Sequence, residues 1–559
     1  MDKIRIIALG GQDEFDKKMT VVEINDNIFV INCGKKDPDK TRPGIDYVIA
    51  NYDYLLKNKE RVRAYILTHA FDSSLGGLPY IYKDVPAPVY CSKVTETFLK
   101  SFAKHNHVNV KFNIININPT SEVTISGVRI NFFQCSANMS SSSGVSLHTD
   151  IGNIVFSGAF VIDNNADPDF LYDAKALSRL AEEDTLVLMC ESRYAGRLGY
   201  TSPKYKLIPL IENAMKEAQG RIFVAMAIPD LYNITKTVLL ANRLGKKIVL
   251  YDEETSDQFE LIYQLHECMK VIKRSDVLPI SEINRISSKD AFILLLGWGS
   301  RLYHKIELLA NPLDTTTLVN LGANDTFILG TSYSIQTEID MNEAIDDLYH
   351  TDAKIVRFKK DEFIRMHASE EDIKTLIAHL QPKYYVPIFG TYRELLTNAR
   401  LSLDMGVGLT YFSIFILDNG NVLEIENGKA KVLTSSVIAG DLYIDGKGVG
   451  DVSGSIIDDR QKFSDDGVVI MGIALNKDKT KIIGGPDIQM RGLVYLKDSD
   501  ILLRELTRQF EININGAILE GKTDIAYLEQ ITHDGAFRTI RRYTGKSPII
   551  VPTILIANK

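Results

Sequence analysis

The sequence predicts an α/β protein built in layers, and three observations carry that prediction. Residues 20–25 (TVVEIN) and 28–33 (IFVINC) are β-rich runs separated by Asp26-Asn27, the pattern of a hairpin. Between 220 and 332, short and wholly apolar runs alternate with helical patterns, as in a parallel sheet covered on both faces. A polar, flexible stretch around 426–438 then sets off a compact final unit. At 559 residues the chain has length for about three domains.

The elements follow in order. Residues 4–9 (IRIIAL) form a strand closed by Gly10-Gly11, and 64–68 (AYILT) an apolar strand after which Ser73–Tyr82 begins a helix. Residues 88–90, 110–116, 128–134 and 153–157 add strands, so pairs of strands with interspersed helices make a layered sandwich. From about 204 to 365 the rhythm is βαβ: strands at 220–227, 246–251, 291–297 and 325–332, helices at 232–243 and 257–272. An amphipathic helix at 369–381 leads into the strand 384–389 (YYVPIF). The final unit has β-runs near 441–445, 467–474 and 492–496, and helices near 498–513 and 523–542. Ile501, Leu502, Leu506 and Phe510 lie close to one face of the first of these helices, suited to a partner subunit or to the unit's own sheet.

Composition narrows the function classes. Hydrophobic residues at 45% and charged residues at 24% are ordinary for a globular protein. The start, MDKIRIIALGG, lacks a signal-peptide layout, and no run of about 18 apolar residues exists, so no membrane association is expected. The five cysteines are scattered with no CxxC pair, which argues against structural zinc or disulfides and for a reducing cytoplasm. A net charge of −8 lowers the expectation of a broad phosphate-binding face and leaves RNA binding in a local groove open.

Chemistry is expected where strand 64–68 ends. The run is Thr68-His69-Ala70-Phe71-Asp72-Ser73-Ser74, then LGGLPY. With Gly76, Gly77, Pro79 and Tyr80 it resembles the ribonuclease J family of metallo-β-lactamase/β-CASP ribonucleases, which read roughly THGHEDHIGGIPY here. The C-terminal pattern Asp445-Gly446-x-Gly448-Val449-Gly450-Asp451-Val452, Asp459-Arg460, Asp465-Asp466-Gly467, Gly485-Pro486-Asp487-Ile488 and Arg491-Gly492-x-Val494-Tyr495 is similar to the same family's. The resemblance runs from residue 4 to beyond 550. It implies a metallo-β-lactamase αββα sandwich at 1–203 and 366–428, an inserted β-CASP domain at 204–365, a linker at 429–439 and a small α/β C-terminal domain at 440–559. It also implies 5′-to-3′ exonuclease and endonuclease action on RNA, in ribosomal RNA maturation and messenger decay, with two zinc or manganese ions.

The ligands for those ions depart from the family. His69 matches the first histidine, but Phe71, Ser73 and Ser74 stand at the next His, Asp and His positions. Ala137 stands at the following histidine, Ala159 at the bridging aspartate after Ser157-Gly158, and Phe389 at the last histidine in Pro387-Ile388-Phe389-Gly390-Thr391. One imidazole cannot hold a metal pair, so no catalytic residue and no metal cofactor are expected. Glu191-Ser192 partly matches the family's Asp-Ser-Thr, and Met366-His367-Ala368-Ser369 its Gly-His-Ala-Ser, making Glu191, Ser192, His367 and Ser369 the candidates for RNA or phosphate contact. The channel motifs are unrecognisable at Gly297–Arg301 and at Ile335-Gln336-Thr337-Glu338. His105-x-His107 reads as a solvated loop, Trp298 as a core aromatic, and Ser140–Ser143 as a flexible loop in place of a lost ligand segment. Such losses resemble the family's type 2 paralogues. They imply a weak or inactive subunit that binds an active ribonuclease J, or itself as a homodimer. A weakly active nuclease with an altered site and a non-cutting RNA scaffold stand as the alternatives.

Overall fold

In a computed structural model of the chain, the hairpin forms where β-branched residues cluster. Met19–Ile24 and Asn27–Ile31 pair antiparallel with Ile24 opposite Asn27. The turn residues are therefore Asn25 and Asp26, one place earlier than the sequence predicts, and Asn25 takes the positive φ (53°) that an asparagine tolerates. The structure describes residues 2–38, 42–163, 168–201, 207–311, 318–331, 337–358, 367–434, 436–446, 448–450, 454–493 and 499–557. It divides into two units, Met1–Asp37 with Val48–Leu442, and Pro38–Tyr47 with Tyr443–Lys559.

In the first unit the hairpin lies in an eight-stranded sheet, ordered Lys429–Leu433, Val422–Glu426, Ile4–Gly10, Met19–Ile24, Asn27–Ile31, Val62–Leu67, Val89–Cys91, Ile114–Asn116. A six-stranded sheet faces it, ordered Tyr384–Ile388, Thr185–Glu191, Gly152–Phe156, Ser142–Thr149, Val128–Cys135, Glu122–Ile125. Ile6, Val22, Phe29 and Ile66 meet Phe132, Val145, Phe156 and Met189 in the core between them. On the far side of the second sheet, Val155, Leu188 and Tyr385 pack on Leu177, Leu180, Ile373 and Leu376 from the helices Ala174–Ala181 and Glu370–Leu380. This is the αββα sandwich.

The third sheet is wholly parallel: Val277–Pro279, Lys247–Leu250, Ala291–Gly297, Ile222–Ala227, Thr326–Leu329, Lys354–Arg357. It is an insertion in the sandwich, because Thr185–Glu191 and Tyr384–Ile388 on either side of it in the chain pair directly. The chain leaves the sandwich after Glu191 and returns at His367, whose Nδ1 lies 2.6 Å from Glu191 Oε2. Both ends of the insertion thus meet at the carboxyl end of one strand.

Three local expectations are corrected. Ser140–Ser143 is not a flexible loop. Ser142 and Ser143 open a buried strand, Ser142–Thr149, which has a neighbour on each side and where small residues let the chains pack closely. The helix expected at Ser73–Tyr82 is two short ones, Asp72–Leu75 and Leu78–Ile81, interrupted at Gly76-Gly77. Lys429–Leu433, expected in a linker, is the edge strand of a hairpin with Val422–Glu426.

In the second unit Val468–Leu475 pairs antiparallel with Ile482–Arg491 and parallel with Ile549–Ile556. The helices Ser499–Leu519 and Ile525–Thr544 cover one face. Leu502, Leu506 and Phe510 join Val469, Met471 and Ile473 in its core, so the apolar stripe is spent on the unit's own sheet, and of the four only Ile501 (64% exposed) faces outward. The segment 38–47 belongs to this unit, which the sequence did not predict: Asp46 N–H donates to Ile444 O (2.8 Å), and the Arg460 guanidinium to Gly44 O (3.1 Å). Residues 451, 452, 494 and 495 of the C-terminal pattern lie outside the described residues. Among the described residues no helix is long and apolar enough to cross a membrane.

Candidate functional site

The turn that should carry metal ligands is held in place by backbone bonds. Lys18 N–H donates to Ser73 O (2.9 Å), Cys33 N–H to Ser74 O (2.7 Å), and Gly77 N–H to Cys33 O (2.9 Å). Gly34 makes the close approach feasible, since a Cβ there would lie 1.7 Å from Ser73 O. None of these bonds depends on a ligand side chain, so the turn can outlast the loss of its ligands.

His69 is buried at the end of Val62–Leu67 with both ring nitrogens committed. Thr68 donates its hydroxyl proton to Asn32 Oδ1 (3.0 Å) and so accepts from His69 Nδ1–H (2.7 Å). That leaves Nε2 to accept from the Ser74 hydroxyl (2.9 Å). Burial, with Lys18 and His367 nearby, holds the imidazole well below its ordinary pKa, hence neutral. Phe71 sets its ring edge-on to His69, centroids 4.8 Å apart.

Of the other family positions, 71, 137, 159 and 389 carry no donor atom, and 73 and 74 carry only serine hydroxyls. Ala137 and Ala159 are buried methyl groups, and Ser73 is half-buried. Phe389 is buried, held edge-on to Phe156 (5.5 Å), with a positive φ of 59° that an aromatic residue rarely adopts. Lys18, which the sequence did not single out, is only 4% exposed and places its ammonium 5.1 Å from the centre of the Phe389 ring. The available signal was a charged residue set directly before an apolar strand.

Glu191 and His367 form a second buried pair, 2.6 Å between Oε2 and Nδ1. Glu191 Oε1 accepts from the backbone N–H of Phe160 (2.9 Å) and Ala368 (3.0 Å). His367 and these amides hold the carboxyl ionised, below its ordinary range, against the cost of burial. Burial pushes His367 down to about 4, so it is a neutral Nδ1–H donor. The Tyr194 ring stands edge-on to it (5.8 Å). The remaining candidates are also interior. Ser192 Oγ accepts from Asn398 Nδ2 (3.0 Å), while Ser369 bonds the Thr201 hydroxyl (2.7 Å) and caps the helix Glu370–Leu380. The structure thus gathers Glu191, Ser192, His367 and Ser369 in one buried, hydrogen-bonded region.

Trp298 is half-buried against Phe98 (6.4 Å) rather than in the core, and His105 and His107 are exposed. Of the two channel motifs, Gly297–Arg301 is the end of a parallel strand running into the helix Gly299–Ala310. Residues 335, 336 and 366 lie outside the described residues.

Comparison with known proteins agrees with this geometry. Residues 455–556 match the family model for the ribonuclease J C-terminal domain. A protein named Ribonuclease J 2 from Staphylococcus aureus (strain MRSA252) is 27% identical over 551 residues, covering 99% of this chain and 98% of its own. A Ribonuclease J 2 from Staphylococcus epidermidis matches at the same identity and coverage. Along nearly its whole length the chain is similar to proteins of the ribonuclease J family. A crystal structure of an Enterococcus faecalis V583 protein of unknown function, 15% identical, overlays with a TM-score of 0.53 over 76% of this chain and 100% of its own, a likeness of fold.

The residues present do not fit the metal pair that a ribonuclease J fold implies. His69 Nε2 already accepts a hydrogen bond, alanine and phenylalanine supply no donor atoms, and an ammonium lies over the ring at one vacated position, Phe389. Among the described residues no group of three or more His, Cys, Asp or Glu side chains is placed to hold a metal ion.

Proposed function

We propose that this chain is a ribonuclease J-like protein of RNA processing and decay whose own centre does not cut RNA, and that it works as a subunit bound to an active ribonuclease J. Similarity along the whole chain to proteins named Ribonuclease J 2 supports the RNA-processing role. The observation that carries the non-catalytic reading is the closed hydrogen-bond chain Asn32–Thr68–His69–Ser74, which occupies the one imidazole left at a family ligand position. Hydrolysis by this fold needs metal-activated hydroxide, and neither serine nor neutral histidine in this setting replaces it.

Co-purification from the native cell tests the reading: a ribonuclease J carrying a full ligand set is expected in stoichiometric amount. Recovery of the chain alone, with RNase activity of its own that survives matched mock purification, would refute it. The intact Glu191–His367 pair is the one feature that favours residual nuclease activity instead. On that reading His367→Asn abolishes activity; on ours there is none to abolish.

A further inference from the structure

One vacated ligand position, Phe389, lies against a charge that no ligand comparison would reveal. Lys18 is fixed at its backbone by N–H donation to Ser73 O (2.9 Å) and by acceptance from Gly34 N–H (2.9 Å). It therefore stands at the head of the strand Met19–Ile24, beside the ligand turn. Its ammonium reaches the ring of Phe389, which stands at the family's last ligand position. Its charge is also felt at His69 and at His367. The neutral imidazoles and the aromatic face form an interior that accepts one fixed positive charge.

We propose that the Lys18 ammonium is the resident cation of this centre: a built-in lysine stands in for the metal ions, and it keeps metal out even where ligands are restored. A dication placed beside a fixed ammonium in a buried, weakly screened site is repelled strongly. The face of the Phe389 ring also attracts the ammonium, while the backbone bonds to Ser73 and Gly34 keep Lys18 beside the turn whichever residue stands at 389. The inference rests on the non-catalytic reading but has its own failure mode, because it concerns reversal variants rather than the natural chain.

The test uses the full chain with six changes, Phe71→His, Ser73→Asp, Ser74→His, Ala137→His, Ala159→Asp and Phe389→His, made with Lys18 retained and again with Lys18→Ala. Each is loaded with manganese or zinc chloride, dialysed and assayed by elemental analysis, with circular dichroism as the check on folding. The expected result is no firmly held metal while Lys18 is present and a tightly held pair once it is removed. Two outcomes overturn the proposal: metal retained equally with Lys18 in place, or none retained after Lys18→Ala in a folded chain. Should the six-fold variants not fold, Phe389→His alone and Phe389→His with Lys18→Ala serve instead, read by zinc titration. Binding that appears only in the double variant supports the proposal, and equal binding or equal absence overturns it.

Discussion

His69 and His367 are neutral in the fold because burial disfavours their charged forms, and this has a pH consequence with a definite sign. Unfolded, each titrates near 6.5; folded, His367 titrates near 4 and His69 well below its ordinary value. Between those limits the unfolded chain binds more protons, so stability falls as pH drops. From pH 7.5 to 5, His367 alone is expected to cost the first unit about 2 kcal/mol, most of it lost below pH 6.5, with His69 acting in the same direction. Denaturant unfolding at pH 7.5 and 5 checks this, and His69→Gln should flatten the dependence. Removing His367 leaves Glu191 charged, buried and short of one partner, so His367→Ala is expected to cost roughly 3–5 kcal/mol at pH 7.5. At this scale the sequence was legible where a residue type is lost: Phe71, Ala137, Ala159 and Phe389 cannot ligate wherever they sit. It was silent on Lys18, because only the folded chain brings residue 18 beside 389.

Elements were legible where periodicity was strong. The apolar runs of the parallel sheet and the strand 128–134 formed close to their expected bounds, since their apolar residues fix which faces are buried. Ser142–Thr149 was missed because a run of serines has no β-forming side chains, and only pairing with its neighbours makes it a strand. The ligand turn shows why the family likeness outlived the ligands: backbone bonds and Gly34 hold it. Gly34→Ala should therefore cost at least as much as core overpacking, about 1–3 kcal/mol, since its Cβ would meet a backbone oxygen rather than a movable side chain. Leu506→Ala, on the buried stripe, should lower stability of the second unit by roughly 2–5 kcal/mol in denaturant unfolding and leave association with a partner intact. Loss of association without loss of stability would return that stripe to an interface role.

At the scale of the whole molecule, the layered fold and its insertion could be read from the chain. The recruitment of residues 38–47 into the C-terminal unit could not, because it depends on contacts such as that of Gly44 with Arg460, 416 positions apart. On the proposed reading, a ribonuclease J-like framework has hydrogen bonds, aromatic rings and an ammonium where a hydrolytic centre would hold its metal pair. The central claim is that this centre holds no metal pair, and metal stoichiometry addresses it most directly. The full-length natural chain, incubated with manganese and zinc and then dialysed, is expected to retain less than one firmly bound ion per subunit by elemental analysis, six of the seven family ligand positions being lost. Two tightly held ions per chain would contradict the account.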